Sequence, residues 1–395
     1  MRRTRAIASS LARMAENSGY KMKKVLPAYA SFFSTANEQH HVGNRTASHS
    51  DVAVTQHTSN SSNDTDFTRN AAFSIHSNNE AMELVDSLLL RTSEMMNPRA
   101  ANVVAYSGGV DSSLVAALVH RVFSDYDDIL SPNNGGSVQA VLGISHAVPQ
   151  TQIDVARSVA DFIGIQLMEV RTAEGSDEAY IRNDGHACFV CKTHLYSTLN
   201  AVANAFMEQH IGQDGQNDIE QKVILYNGTN ADDTRDPTRL GLRAASNFSV
   251  QSPLDQISKD QVRQAAKYLG LSNWNAAASP CLRSRLAMGV MATEEHLRAV
   301  ENAEAFVREV LELDETINAR VRMLAGGKAM VELDNSIIES VTEYDLAAKL
   351  NDRGFSDKCI KEWGFNSFGG VRGFKTGSVA AMPEDNDAPL VAATL

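Results

Sequence analysis

Val103-Val104-Ala105-Tyr106-Ser107-Gly108-Gly109-Val110-Asp111-Ser112-Ser113 is the stretch on which the reading of this chain turns. A short apolar run leads into it, and the apolar-periodic segment Leu114 to Val122 leads out. Run, glycine pair and periodic segment spell a buried strand, a tight turn and the start of a helix. Gly108 and Gly109 carry no Cβ, so backbone N–H groups can turn toward a bound anion. Ser107, Ser112 and Ser113 add hydroxyl donors, and the first helical turn adds the positive end of its dipole. Asp111 is suited to hold a Mg²⁺ that bridges phosphate oxygens. The turn reads as a phosphate cradle. A serine/glycine turn that only caps a core helix is the competing reading.

Two common cradles are absent from this turn. The G-x-x-x-x-G-K-[ST] loop needs a lysine that this turn lacks, and no G-x-G-x-x-G occurs. The string Ser107-Gly108-Gly109-Val110-Asp111-Ser112 resembles the PP-loop of the ATP pyrophosphatase superfamily. That resemblance implies an adenine nucleotide α-hydrolase-like fold. It also implies cleavage of ATP between the α and β phosphates, with AMP left on the substrate.

Length and composition bound the rest. The 395 residues suggest two or three domains, and a 43% hydrophobic content supports real cores. A net charge of −12 argues against a broad nucleic-acid surface, so no nucleic-acid partner is expected. No apolar run is long enough to span a membrane. Four cysteines (Cys188, Cys191, Cys281 and Cys359) are too few for a disulfide scaffold, which points to thiol or metal chemistry.

The first 35 residues carry Arg2, Arg3, Arg5, Arg13, Lys21, Lys23 and Lys24 against one acid, Glu16. Arg-rich, Ser-rich and acid-poor composition is that of an organelle transit peptide, which predicts a mitochondrial address, with plastid or cytoplasm as alternatives. Residues 36–75 read as a disordered low-complexity linker and 379–395 as a disordered tail. Between them, 76–289 reads as the nucleotide domain and 290–378 as a smaller C-terminal α/β domain for substrate or oligomerisation.

Within 76–289 the pattern predicts helix from Ala81 to Met96, then the strand and loop above. Strand from Val138 to Ile144, helix from Thr151 to Ile163, strand from Ile165 to Val170, helix from Cys188 to about Met207 and strand from Val223 to Tyr226 follow. This alternation predicts an α/β fold with a doubly wound parallel sheet and ligands beyond the carboxyl ends of its strands. Helix from Thr293 to Leu311, strands near Ile317 to Met323 and Ala329 to Leu333, and helix from Ser336 to Leu350 predict the smaller domain.

Other constellations carry chemistry less specifically. Asn227-Gly228-Thr229-Asn230-Ala231-Asp232-Asp233 ends a strand. Asn230, Asp232 and Asp233 suit adenosine or a second Mg²⁺, and equally an ordinary Asx-rich turn. Cys188-Phe189-Val190-Cys191 with distant Cys281 leaves three readings open: a redox or metal pair, a three-thiolate cluster, or unconnected core thiols. A zinc site would recruit His186 or His194 as fourth ligand. Arg283, Arg285, Arg320 and Arg322 are suited to phosphate or carboxylate, and Arg320-x-Arg322 puts two of them on one face of a strand.

Four blocks coincide in order: the Ser107–Ser113 loop; Cys188-x-x-Cys191-Lys192-x-x-Leu195-Tyr196; Gly228 to Asp233 with Asp236-Pro237-Thr238-Arg239-Leu240-Gly241 and Ser252-Pro253-Leu254; and Ser279-Pro280-Cys281-Leu282-x-Ser284-Arg285. Together, over about residues 80–378, they resemble the LarE family of ATP-dependent sulfur transferases. The resemblance implies adenylation of a carboxylate of pyridinium-3,5-biscarboxylic acid mononucleotide and its conversion to a thiocarboxylate. ATP and Mg²⁺ are the implied cofactors. Two sulfur sources are implied: a 4Fe–4S cluster held by Cys188, Cys191 and Cys281, which the presence of all three cysteines favours, or sacrifice of Cys281 with no cofactor beyond ATP and Mg²⁺. The resemblance places Ser284, Arg285, Arg320 and Arg322 on the substrate, with Glu301 nearby, and implies a homotrimer or homohexamer. Another PP-loop enzyme, such as a tRNA thiolase or amide-forming ligase, and a non-catalytic nucleotide-binding module are the rival readings.

Overall fold

The computed structural model describes residues 64–130, 136–210, 223–235, 240–278 and 280–375. The basic first 35 residues, most of the polar linker, residues 236–239, Ser279 and the tail from 379 lie outside them.

The apolar run forms β1 (Ala101–Tyr106), five of whose six residues are buried. A strand covered on both faces belongs in the middle of a parallel sheet. β1 pairs in parallel with β2 (Ser137–Ile144) on one side and with β4 (Val223–Tyr226) on the other, while β2 also pairs in parallel with β3 (Leu167–Arg171). The strand order β3-β2-β1-β4 reverses direction between β1 and β4. At such a reversal the connections leave to opposite sides and open a crevice at the strands' carboxyl ends. The phosphate-cradle loop follows β1 and the Asn227–Asn230 segment follows β4, so both border that crevice.

Helices flank the sheet. α1 (Asp64–Met95) precedes β1, α2 (Val110–Leu130) follows it, and α3 (Gln150–Ile163) follows β2. α4 (Glu178–Ile181) and α5 (Ala187–His210) come after β3. α6 (Ala231–Thr234), α7 (Leu240–Asn247) and α8 (Lys259–Tyr268) come after β4. α3 ends on Gly164 in the left-handed conformation, which lets its N–H reach the carbonyls of Ala160 and Asp161. α8 starts at a Ser258/Gln261 capping box. α1 begins at Asp64, inside the stretch read as linker. Phe67, Ala71 and Ile75 recur at helical spacing there within a polar tract.

After α9 (Glu294–Leu311), β5 (Ala319–Leu324) and β6 (Lys328–Leu333) form an antiparallel hairpin, and β7 (Ser367–Gly373) adds in parallel to β6. This is the smaller C-terminal sheet. The helix expected from Ser336 to Leu350 is two, α10 (Asn335–Ser340) and α11 (Glu343–Asp352). Thr342 accepts from the N–H of Asp345, and this cap opens a new helix where continuity was expected. α12 (Phe355–Lys361) follows. Phe306, Phe355, Trp363 and Phe368 pack edge-on or tilted at centroid separations of 4.9–5.8 Å, filling the space between α9, α12 and β7. No helix among the described residues is long and apolar enough to cross a membrane.

Candidate active site

The cradle is built by backbone as much as by side chains. Gly108 has φ +71°, and a Cβ there would lie 2.6 Å from the Cβ of Ala156 on α3. Only glycine meets both demands. Ser112 ties the loop to itself: its hydroxyl accepts from the N–H of Ser107 at 3.1 Å and donates to the carbonyl of Gly109 at 3.0 Å. From outside, Gln152 on α3 donates to the carbonyl of Ser107 at 2.8 Å. Asn273 donates to the carbonyl of Gly108 at 2.7 Å and to the hydroxyl of Ser113 at 3.0 Å. With loop carbonyls tied back by donors, the N–H groups at the start of α2 stay free for an anion.

The segment after β4 closes on the same spot. A Cβ on Gly228 would stand 2.7 Å from the backbone nitrogen of Ser112 and 2.8 Å from Asp111, so the two backbones touch. Asn230 donates to Oδ1 of Asp111 at 3.0 Å, and Lys259, at the start of α8, forms an ion pair with Oδ2. Asn227, buried below, accepts from Ser252 at 2.8 Å and donates to Tyr196 at 3.2 Å. Asp232 and Asp233 turn to structural duty. Asp233 completes a capping box with Asn230, and Asp232 accepts from the N–H of Lys259 at 2.7 Å. Asp111 thus offers one carboxylate beside the phosphate cradle. A Mg²⁺ held by one or two carboxylates and by phosphate oxygens suits that donor set.

The cysteine region is assembled from two distant loops. Asn183, buried and left-handed at φ 51°, donates to the carbonyls of Ala287 and Val290 at 3.0 Å each. The N–H of Leu282 donates to the carbonyl of Ala147 at 2.8 Å. These bonds bring Cys281 to the first turn of α5, where Cys188 and Cys191 lie. Arg283 donates to Asn183 at 2.9 Å and to the sulfur of Cys188 at 2.8 Å, and it also interacts with Cys281. Burial acts to lower the pKa of Arg283, but Cys188, Cys281 and Tyr180 together raise it. Burial pushes the Cys191 thiol up to about 12, and the Cys281 charge pushes the same way. For Lys192, burial acts to lower the pKa, yet Tyr196 and the cysteines raise it. The three thiols are therefore electrostatic neighbours in a cationic setting. Their donor chemistry suits an iron–sulfur centre. As placed, however, no three His, Cys, Asp or Glu side chains among the described residues stand close enough to hold one metal ion. His194 bonds Asp177 at 2.9 Å, which helps hold that side chain below the usual carboxylate range.

Beneath Cys281 lies a buried arginine set. Arg285 makes a fork with Glu304 at 2.8 and 3.3 Å and also reaches the carbonyls of Pro280 and Cys281. Arg322 pairs with Glu332 at 2.7 Å and donates to the carbonyl of Ser284 at 2.8 Å. Arg372 binds the other oxygen of Glu332 at 2.6 Å. Arg320 is different: it donates to the carbonyl of Ala278 at 3.2 Å and lies over the Phe374 ring at 4.4 Å. Burial, with Arg285 and Arg322 adding repulsion, lowers its pKa to about 10. Four guanidinium groups share two carboxylates, so the group carries excess positive charge and suits an anion. Glu301 accepts from the N–H of Gln150 at 2.7 Å.

The structure thus brings Ser107–Ser113, Asn230 and Asp111 together at one crevice, and Cys188, Cys191, Cys281, Ser284 and the arginines at a second cluster. Sequence reasoning missed Lys259, Asn273 and Asn183. Lys259 follows a capping serine just after Ser252-Pro253-Leu254, a weak local signal. Nothing local marks Asn273.

No family model matches the chain. It is 35% identical over 210 residues to an uncharacterized protein of Synechocystis sp., spanning 53% of this chain and 69% of that protein. It is 30% identical over 209 residues to the pyridinium-3,5-bisthiocarboxylic acid mononucleotide synthase of Lactiplantibacillus plantarum, spanning 52% of this chain and 67% of that protein. A glutamine-hydrolyzing GMP synthase of Oceanobacillus iheyensis is 25% identical over 216 residues, 39% of its own length.

Proposed function

This chain belongs to the family of the pyridinium-3,5-bisthiocarboxylic acid mononucleotide synthase, and from that premise we propose that it is an ATP-dependent sulfur transferase acting on a pyridinium mononucleotide carboxylate. One observation carries the reading: a buried arginine cluster with more guanidinium groups than carboxylates is tied to the Cys281 loop, through the contacts of Arg285 with the carbonyl of Cys281 and of Arg322 with that of Ser284.

The chemistry follows from the residues. ATP phosphates lie on the N–H groups at the start of α2. Lys259 brings positive charge to them, and Asp111 would hold a Mg²⁺, which would supply further neutralisation of phosphate charge. A substrate carboxylate oxygen attacks the α-phosphorus. The new O–P bond forms as the α–β bridge breaks, and pyrophosphate leaves with that electron pair. Preorganised donors aimed at the leaving group do most of this work. A sulfur nucleophile then attacks the acyl carbon; the C–S bond forms, the C–O bond to phosphate breaks, and AMP departs with its electrons. Arg320 takes an anionic group of the substrate, while Arg285 and Arg322, pinned by their carboxylates, raise the local potential.

Cys188, Cys191 and Cys281 would hold a 4Fe–4S cluster, which leaves one iron open and supplies a sulfide. Arg283 must leave Cys188 for that. A specific observation supports the second reading, in which Cys281 surrenders its own sulfur: in the structure Arg283 attends both Cys188 and Cys281. The Arg- and Ser-rich first 35 residues support a mitochondrial address.

The test is turnover with ATP, Mg²⁺ and pyridinium-3,5-biscarboxylic acid mononucleotide, comparing native protein with Cys281→Ser. The native protein yields thiocarboxylate and the variant none. Equal yields would overturn the role of Cys281. Bound iron with unchanged mass after turnover supports the cluster. A colourless protein lighter by the elements of H₂S supports sacrifice.

A further inference from the structure

We infer that Phe374 is the positioning residue that holds Arg320 charged and open to an anionic group of the substrate, an inference that rests on the reading above. The guanidinium carbon of Arg320 lies over the Phe374 ring, 4.4 Å from its centroid. Arg320 is 7% exposed and puts a hydrogen bond on the carbonyl of Ala278 at 3.2 Å. The carboxylates of the cluster are committed to its other arginines. Glu304 is forked by Arg285. Glu332 stands opposite Arg320 in the β5–β6 register, yet it takes Arg322 on one oxygen and Arg372 on the other.

A carboxylate and a ring hold a guanidinium in different ways. A carboxylate cancels the charge and fills the planar fork of N–H donors with its two oxygens. The negative face of a ring attracts the same charge but brings no oxygen to the fork. Arg285 and Arg322 are therefore pinned, whereas Arg320 keeps charge and donors for a bidentate guest such as phosphate or carboxylate. The setting calls for such a contact, because burial and the repulsion of Arg285 and Arg322 weigh against the Arg320 charge. The sheet delivers the ring. Arg320, Glu332 and Arg372 stand side by side across β5, β6 and β7, and Phe374 comes two residues after Arg372, on the same face. The N–H of Phe374 donates to the carbonyl of Leu333 at 2.7 Å, which carries the β6–β7 ladder past Gly373 and fixes the backbone under the ring. No bond is made or broken through Phe374; its effect passes through Arg320.

The test replaces Phe374 by leucine and by tyrosine in the full chain. Phe374→Leu should raise the KM for pyridinium-3,5-biscarboxylic acid mononucleotide about 5–30-fold, the loss expected of a desolvated cation–π contact, with kcat and the KM for ATP little changed. Phe374→Tyr keeps the ring face and should return that KM to within about twofold of native. On an Arg320→Ala background the leucine change should add less than about twofold, because the ring acts through that guanidinium. A native KM in Phe374→Leu would overturn the inference. So would an undiminished effect without Arg320, or a matching rise in the KM for ATP, since either marks a structural role. A second readout needs no turnover. With ¹⁵N-labelled arginine, inorganic phosphate should shift the Nε–H resonance of Arg320, with a midpoint about 5–30-fold higher in Phe374→Leu than in native or Phe374→Tyr protein. Equal midpoints, or no response of Arg320 in the native protein, would overturn the inference. If the native protein makes no thiocarboxylate while the phosphate midpoints differ, the functional reading fails and the role of Phe374 stands.

Discussion

Replacing Gly228 by alanine tests the crevice where the two strand ends meet. The added Cβ would sit 2.7 Å from the nitrogen of Ser112 and 2.8 Å from the backbone carbon of Asp111. Ordinary contact begins near 3.4 Å, so the Asn227 segment and the start of α2 must part by about 0.7 Å. Both contacts are backbone, so no rotamer change relieves them. Overpacking of this kind costs about 1–3 kcal/mol. Each kcal/mol lowers the melting temperature by roughly 2–4 °C in a domain of this size. Function suffers more than stability. A misplacement of about 1 Å costs on the order of 100-fold in rate, so a shift of this size predicts a loss of tens-fold in pyrophosphate release. The assay is coupled detection of pyrophosphate beside a thermal melt, both at saturating ATP. A Gly228→Ala protein that folds and releases pyrophosphate at the native rate refutes the argument that this contact holds the phosphate cradle.

Three further outcomes are expected. Glu332→Ala leaves Arg322, 2% exposed, without its carboxylate, and costs about 3–5 kcal/mol by urea unfolding, whereas an apolar replacement of both partners costs less. Lys259→Met removes the cation from Asp111 and lowers the rate of AMP formation on the order of 100-fold by single-turnover assay, with little change in melting temperature. Maleimide labelling followed by mass spectrometry modifies exposed Cys188 first. Burial disfavours the thiolates of Cys191 and Cys359, each pushed up to about 12, so neither gains reactivity between about pH 7 and 9 and Cys359 reacts only on unfolding.

The strand, glycine turn and helix around Ser107–Ser113 were legible because their signals are local: an apolar run, two glycines and a helical period within about twenty residues. The parallel sheet followed from the alternation of such units. What the sequence hid is what the fold joins across distance. Lys259 reaches Asp111 and Asn273 reaches Gly108 from far down the chain, and no spacing rule announces either meeting. The alternation of Arg320 and Arg322 was visible, but their acids were not. Glu332 faces Arg320 only once the β5–β6 register is set, and Glu304 reaches Arg285 from α9. The break at Thr342 was missed because a capping threonine outweighed an otherwise continuous apolar period.

The most direct measurement follows α-labelled ATP through a single turnover with pyridinium-3,5-biscarboxylic acid mononucleotide and Mg²⁺. AMP appearing in step with pyrophosphate and with thiocarboxylate is the predicted result. ADP in place of AMP, or no nucleotide cleavage that depends on the mononucleotide, would contradict it.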